Sequence, residues 1–450
     1  MDQKLLPFAL QDVPRYTSYP TAVQFKDGFP EGLADRWLAE LPPSSSLSVY
    51  VHVPFCQQLC WYCGCHTSVP NSYGRASAYV DSLIRDIARS GKLSGVQNCN
   101  VKHLHFGGGT PTYLSNADLG RILACINGSF GLAPGAEIAL ESDPRGITRD
   151  RAFGLAAMGF NRISFGVQDF ALPVQMKINR LQTHGLVAHV TDLLREAGFS
   201  SINFDLMYGL PAQSVDSVRQ TAKQAAALRP NRISVFGYAH VPWFKKHQRM
   251  ISDAELPGVS ERYEQAGTIA EELGHAGYAA IGLDHFALPD DPLAIAASTG
   301  TLRRNFQGYT TDTADALIAF GASAISEFPQ GFAQAARDTL PWTQAIAGRR
   351  SPIVRGLATT AEDRMRGAII EQIMCNFSAD FDQIAGQYGF GSTVLEDSLF
   401  RLQPLVEAGL ASITGSTVRV PQEHRLFLRS VTCAFDSHYT GAKNRHARAI

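Results

Sequence analysis

From Leu47 onward the chain alternates short apolar runs with helical patterns, six times in succession. The runs cover residues 47–53, 101–106, 137–141, 162–166, 201–206 and 232–236. Between them the apolar residues fall at helical spacing, as in Val80, Leu83, Ile84 and Ile87, then Val187, Val190, Leu193 and Leu194. Parallel strands need long crossovers, so strand–helix units in a row predict an α/β fold with a parallel sheet covered by helices. The strands are short and rich in apolar positions, as expected where helices cover a face. A barrel-like sheet fits better than a doubly wound one, because each unit carries its unusual polar residues at one end. No internal sequence repeat underlies the alternation.

Parallel barrels build their sites from the loops at the carboxyl ends of the strands. Taken in turn, those ends supply a cysteine-rich loop, Gly107-Gly-Gly-Thr-Pro-Thr112, Glu141, Gln168-Asp169, Asp205 and Tyr238-Ala-His240. Six successive ends bearing such groups point to one shared site. The three glycines either let backbone N–H groups approach a ligand or make a tight turn. Glu141 and Asp205 either accept hydrogen bonds from ribose hydroxyls or an ammonium group, or cap a following helix. Gln168 and Arg180 carry no meaning alone.

The cysteine loop follows the first strand: Cys56, Cys60 and Cys63 are separated by three and then two residues, with Cys65 and His66 close behind. Thiolates hold iron–sulfur clusters, and a compact loop brings three of them to three corners of a cubane. A 4Fe-4S cluster takes four ligands, so such a loop leaves one iron open. Zinc is the alternative, but its structural sites pair two short Cys units or add histidines at fixed spacing. A disulfide framework fits less well, since the remaining cysteines are scattered.

The rest of the chain sets bounds. At 450 residues it exceeds one core, so a large domain and a smaller one are expected. The net charge of −1 gives no electrostatic case for nucleic acid or an anionic membrane surface. No apolar run approaches the ~20 residues of a membrane span, and the start lacks a signal peptide. Four of eight cysteines in one loop point to a reducing compartment, hence the cytoplasm. Residues 1–46 read as an extended, proline-rich arm with one short helix at 33–41. The arm either packs on the surface or contacts substrate. Residues 278–286 read as a strand leading to a polar turn, 303–309 as a loop with two arginines, and 321–326 as a small apolar stretch. A boundary near 349–357 separates residues 47–350 from a mostly helical unit, 351–450, with a hairpin turning at Gly415-Ser416 and a basic tail, Lys443 to Arg448.

Together these motifs resemble the oxygen-independent coproporphyrinogen-III oxidases of the radical S-adenosylmethionine (SAM) superfamily. The resemblance runs over nearly the whole chain, from Pro14-Arg-Tyr-Thr-Ser-Tyr-Pro20 to Phe435-Asp436. It takes in Tyr50-Val-His-Val-Pro-Phe-Cys56, Cys63-Gly-Cys65, the triple-glycine loop, Val167-Gln-Asp-Phe170, Tyr208-Gly-Leu-Pro211, Gly282-Leu-Asp-His-Phe286 and Arg304-Asn-Phe-Gln-Gly-Tyr-Thr-Thr311. It implies a partial, three-quarter TIM-like parallel β/α barrel, with Cys56, Cys60 and Cys63 ligating one 4Fe-4S cluster and Cys65 outside it. One SAM would be touched by Tyr50, Tyr62, Glu141, Ala239 and Ile325. A second SAM would meet Gly108, Gly109, Thr110, Gln168, Arg180 and Asp205. Ala171-Leu-Pro173 departs from the family's acidic pattern, which puts a local helix start in question.

The implied reaction removes a hydrogen atom from a propionate of coproporphyrinogen III, followed by loss of carbon dioxide and one electron. Two rounds give the vinyl groups of protoporphyrinogen IX. The implied partners are that substrate, an electron donor and an unidentified acceptor, with the chain working as a monomer. Two related readings, a haem-opening radical SAM enzyme and a haem-binding chaperone, share the fold. The long arm and the Cys63-Gly-Cys65 ending favour the oxidase. Arg15, Arg303 and Arg304 are the candidates for holding propionates, and removing residues 1–20 is expected to spare the cofactor site while abolishing decarboxylation.

Overall fold

The computed structural model describes residues 2–96, 99–441 and 448–450. The six expected strands form as Ser46–Val53 (β1), Asn100–Gly108 (β2), Leu132–Ser142 (β3), Arg162–Gln168 (β4), Ser201–Tyr208 (β5) and Arg232–Gly237 (β6). They pair in sequence order and all in parallel. The crossovers are the helices Tyr73–Ser90 (α1), Asn116–Phe130 (α2), Arg149–Ala157 (α3), His184–Ala197 (α4) and Val215–Ala227 (α5). Local chemistry fixes their starts. Ser115, Thr148 and Thr183 each accept a backbone N–H at a helix N-terminus, and Ser214 forms a reciprocal capping box with Ser217. Gly198 ends α4 in the left-handed conformation. The apolar faces of these helices close over the sheet in one continuous core that includes Leu83, Ile122, Val190 and Phe204.

The sheet extends beyond these six strands. Ala279–Ile281 (β7) and His285–Ala287 (β8) form a short hairpin, with β8 antiparallel to β6. Residues 278–286 are therefore two strands around a turn, since Gly282 takes a positive φ and breaks the run. On the other side Ala316–Phe320 (β9), a run the sequence pattern does not single out, joins β1 in parallel. Ile325–Phe328 (β10), Gly331–Ala335 (β11) and Ile353–Ala358 (β12) then continue antiparallel. The strand order is Lys26–Asp27, β12, β11, β10, β9, β1 to β6, β8, β7, and its two ends do not pair, so the barrel is partial. β12 lies across the boundary expected near 349–357 and belongs to this sheet. Residues 303–309, expected as a loop, are largely a hairpin of Arg303–Asn305 and Gly308–Thr310.

A second core gathers the C-terminal residues and the arm. Met365, Ile369, Ile373, Leu402, Phe427 and Phe435 pack with Leu5, Ala9, Val13, Tyr16 and Tyr19. The Tyr16 hydroxyl donates to Asp436 at 3.0 Å, and the Tyr19 hydroxyl sits 3.0 Å from that of Ser437. The arm is therefore built into the C-terminal core. The expected hairpin forms as Ser412–Thr414 with Thr417–Arg419, joined by Ser378–Asp380 as a third strand. The basic tail falls outside the described residues except for Arg448.

Candidate active site

The loop after β1 carries Cys56, Cys60 and Cys63, all free thiols. Each sulfur has a donor. Thr110 Oγ1 donates to Cys56 at 3.4 Å, Arg180 Nη1 to Cys60 at 3.5 Å, and the Cys65 amide to Cys63 at 3.4 Å. Thr67 Oγ1 lies a further 3.1 Å from Cys56 Sγ. Burial raises the Cys56 thiol, and the Thr110 and Thr67 hydroxyls act against that rise. Donors to a coordinated sulfur tune a bound cluster, so the donor set fits an iron–sulfur group. Cys65 is exposed. Among the described residues, no three His, Cys, Asp or Glu side chains gather as a site for a single metal ion.

Two carboxylates stand on the sheet. Glu141, the penultimate residue of β3, accepts from the Gly108 amide at 3.0 Å and lies 3.4 Å from His105 Nε2. Burial works against its charge, but these donors hold its carboxyl below the ordinary range. Asp205 in β5 accepts from Ser164 at 3.0 Å and Asn203 at 2.8 Å. Burial, and then the charge of Glu141, push its carboxyl up to about 6. Both lie inside strands, so neither caps a helix. Tyr50 stacks on His105 with ring centroids 6.0 Å apart, and burial with the Glu141 charge raises its phenol, which stays neutral.

The glycine loop serves the chain's own packing. A Cβ on Gly107 would lie 2.9 Å from Glu141 Oε1 and 3.0 Å from Tyr50 Cε2. One on Gly108, whose φ is +111°, would strike the His52 ring. One on Gly109 would lie 2.7 Å from both the Phe55 carbonyl oxygen and Thr67 Oγ1. These glycines let the cysteine loop and β2 close together.

Arg180 links strand and loop. Its Nε and Nη2 donate to the Gly166 carbonyl at 3.1 and 2.6 Å, and its Nη1 lies 3.1 Å from Asp143. Burial opposes its charge, but Tyr62, Asp143 and Cys60 outweigh it, so the guanidinium stays cationic. Gln168 has a left-handed φ of 67° beside a register shift between β4 and β5. Only glycine at 166 leaves room, since a Cβ there would lie 2.6 Å from Gln168 Nε2 and 3.0 Å from Arg180 Nη2. Asp169 is structural: it accepts from Gln213 at 2.7 Å, Thr221 at 3.0 Å and the Ala171 amide at 2.6 Å. That last bond starts the helix Leu172–Lys177, whose own N-cap Ala171 offers no side chain. Ala239 follows the end of β6, and Ile325 opens β10 after the turn beside Tyr50.

Three residues without any sequence signal complete the site. Lys245 Nζ donates to the Cys65 carbonyl at 2.9 Å, and His247 Nε2 lies 2.7 Å from the Cys63 carbonyl. Gln248, fully buried, donates to the Tyr62 carbonyl at 2.9 Å and the Ala239 carbonyl at 3.3 Å, and accepts from the Val241 amide at 2.6 Å. The segment clasps the cysteine loop by its backbone. In sequence it is a polar, aperiodic stretch that reads as solvated loop.

A cavity of about 1130 Å³ opens at Tyr238 and Ala239 and reaches Arg15 of the arm and the C-terminal segment. No helix among the described residues is long and apolar enough to cross a membrane.

Residues 50–225 match the Radical SAM superfamily profile. The chain is 46% identical over 438 residues to the oxygen-independent coproporphyrinogen III oxidase of Bradyrhizobium diazoefficiens, covering 97% of each chain. It is 40% identical over 427 residues to the enzyme of that name from Escherichia coli, covering 94% of this chain and 93% of the other. The solved structure of Escherichia coli coproporphyrinogen III oxidase, described as a radical SAM enzyme, superposes with a TM-score of 0.90 at 38% identity. That match covers 96% of this chain and 100% of the other.

Proposed function

The chain belongs to the oxygen-independent coproporphyrinogen III oxidases of the radical SAM superfamily, and from that premise we propose how its residues divide the work. The enzyme oxidatively decarboxylates two propionates of coproporphyrinogen III in haem biosynthesis. A 4Fe-4S cluster and SAM supply, when bound, the reducing electron and the radical that takes a hydrogen atom from a propionate.

Cys56, Cys60 and Cys63 hold the cluster, and Cys65 stays outside the ligand set. The donor on each of those three sulfurs is the observation that carries this reading. Tyr50, Tyr62, Glu141, Ala239 and Ile325 face one SAM. Glu141 is held ionised and suits an ammonium or hydroxyl partner. A second SAM would lie with Gly108, Gly109, Thr110, Gln168, Arg180 and Asp205. Arg180 is already committed to Gly166, Asp143 and Cys60, so its part there is to orient Cys60. Gly108 and Gly109 make room for the chain itself, so only their backbone groups remain for a ligand. The arm (1–46), the catalytic region (47–350) and the C-terminal unit (351–450) work as one monomer in the cytoplasm, served by an external electron donor and acceptor. Anaerobic assay with SAM, reductant and coproporphyrinogen III tests the reading. Protoporphyrinogen IX with one cluster per chain is the expected result, and stoichiometric zinc with no cluster on reconstitution would overturn it.

A further inference from the structure

The cavity beside Ala239 carries more positive charge than it pairs. Arg15, Arg262, Arg304, Arg425, Arg429 and Arg448 line it, and none forms an ion pair with a carboxylate among the described residues. Its acidic neighbours are fewer: Asp284, 2.7 Å from His285, also faces Arg304 and Arg15, Asp253 lies 2.7 Å from His240, and Asp12 and Glu423 complete the set. Arg429 is committed to backbone, donating to the carbonyls of Val13 at 3.2 Å and of Arg448 and Ala449 at 2.7 Å.

Three others keep unspent donors. Arg304 gives Nε and Nη2 to the carbonyls of Tyr16 and Arg15, leaving Nη1 without a partner. Arg425 holds the Gly282 carbonyl through Nη2 and leaves Nε without one. The side chain of Arg262, on the helix Val259–His275, donates no hydrogen bond to any described residue. It is nonetheless closely fitted. Gly209 and Gly237 make room for its fork, where a Cβ on Gly209 would strike Nη1 and one on Gly237 would lie 3.3 Å from Nη2. Its guanidinium also lies 5.6 Å from the Tyr208 ring centroid. A desolvated cation without a counter-ion is costly to keep, and a planar fork is shaped for a carboxylate.

Between these polar groups the cavity's walls carry apolar and aromatic side chains, Trp243 and Phe286 among them. Its arginines come from separate elements. A ring-bodied molecule with several carboxylates on flexible arms can engage more than one of them. We infer that Arg262, with Arg304 and Arg425, is the carboxylate receptor of this cavity, and that its ligand is a tetrapyrrole held by separate propionates. Arg262 borders Gly237, two residues before Ala239, so it takes the carboxylate nearest the cofactor side. Arg304 and Arg425 take carboxylates at the arm and C-terminal side. This rests on the decarboxylase reading above for the identity of the ligand, but the receptor is testable by binding alone.

The test uses the full-length holoprotein and coproporphyrin III, the stable oxidised form of the substrate, followed by anaerobic fluorescence titration. Its uncharged tetramethyl ester is the control. Arg262→Gln is expected to weaken coproporphyrin III binding at least tenfold and to raise KM for coproporphyrinogen III in step, with iron content unchanged. Arg262→Lys should recover part of the loss, Arg425→Gln should weaken binding several-fold, and the tetramethyl ester should not distinguish wild type from variants. Binding and KM within twofold of wild type in both Gln variants would overturn the inference and leave the decarboxylase reading standing. Arginine-dependent binding in a wild-type protein that does not decarboxylate would uphold the receptor and remove that reading. If Arg262→Gln loses iron, Arg262→Lys and Arg425→Gln decide the matter by the same two criteria.

Discussion

Gln248→Leu tests whether the cysteine loop is held in shape by a residue that touches no sulfur. The side chain is fully buried and makes three hydrogen bonds to backbone, at 2.6, 2.9 and 3.3 Å. Leucine is close in volume, so packing is roughly kept while the Val241 amide and the Tyr62 and Ala239 carbonyls lose their partner. An orphaned buried group costs about 1–3 kcal/mol. Two strong bonds and one long one therefore put the loss at roughly 3 kcal/mol or more. Lys245 and His247 still hold the carbonyls of Cys65 and Cys63, so the loop should open locally and the chain should stay folded. A local opening made easier by that amount raises its population about a hundredfold. Hydrogen exchange of the amides at 61–65 reads this directly, and slower iron uptake on reconstitution should accompany it. The sheet amides of β3 and β4 should exchange as in wild type. Exchange at 61–65 unchanged from wild type would refute the reasoning, because it would mean that the loop's shape does not depend on those bonds.

Further outcomes follow from the same contacts. Cys60→Ser should lose the cluster while Cys65→Ser keeps iron and sulfide near wild type; equal loss in both would show the ligand assignment to be wrong. Asp205 gives a pH dependence. Its carboxyl is raised from 3.8 to about 6 in the fold, so between those values the folded chain binds more protons than the unfolded one and stability falls as pH rises. The cost approaches ~3 kcal/mol above pH 6. Asparagine does not titrate, so the stability of apo Asp205→Asn relative to wild type should grow by roughly 2–2.5 kcal/mol from pH 4 to pH 8. A difference flat across that range would remove the assigned cause.

The parallel core was legible because two signals agreed. Apolar runs and helical spacing gave the units, and the polar residues at each strand end gave the face that bears the site. Glu141 and Asp205, 64 positions apart in the sequence, come close enough there for the charge of one to raise the carboxyl of the other, because topology converges what sequence scatters. What sequence did not carry is pairing partners. β9 is fully buried and lies between β1 and β10, yet Ala-Leu-Ile-Ala-Phe is too short and too uniform for periodicity to distinguish from a helix fragment. Lys245, His247 and Gln248 act through backbone carbonyls, which any residue of the cysteine loop would offer, so no pattern marks them. The triple glycine shows the opposite error. Its residue type correctly reports close approach, but what approaches is His52, Tyr50 and Phe55, not only a ligand.

The arm settles how its own role must be tested. Deleting residues 1–20 looked like a clean way to separate substrate binding from cofactor binding, but Leu5, Val13, Tyr16 and Tyr19 are buried in the C-terminal core. Four side chains of that size at about 1.5–3 kcal/mol each amount to much of a typical domain's net stability of ~5–15 kcal/mol. The truncated chain should therefore lose the C-terminal core, and with it Arg425 and Arg429, whatever Arg15 does. Arg15 itself is exposed and lines the cavity, and its carbonyl is engaged by Arg304. Arg15→Gln keeps that carbonyl and the buried tyrosines and removes only the charge. Thermal unfolding and iron content should match wild type, while KM for coproporphyrinogen III rises about threefold to tenfold, the effect of one partly solvated charge-assisted contact. The rise should shrink at high salt, because an exposed guanidinium attracts its carboxylate across screening solvent. An unchanged KM at low salt in a normally folded Arg15→Gln would confine the arm to packing.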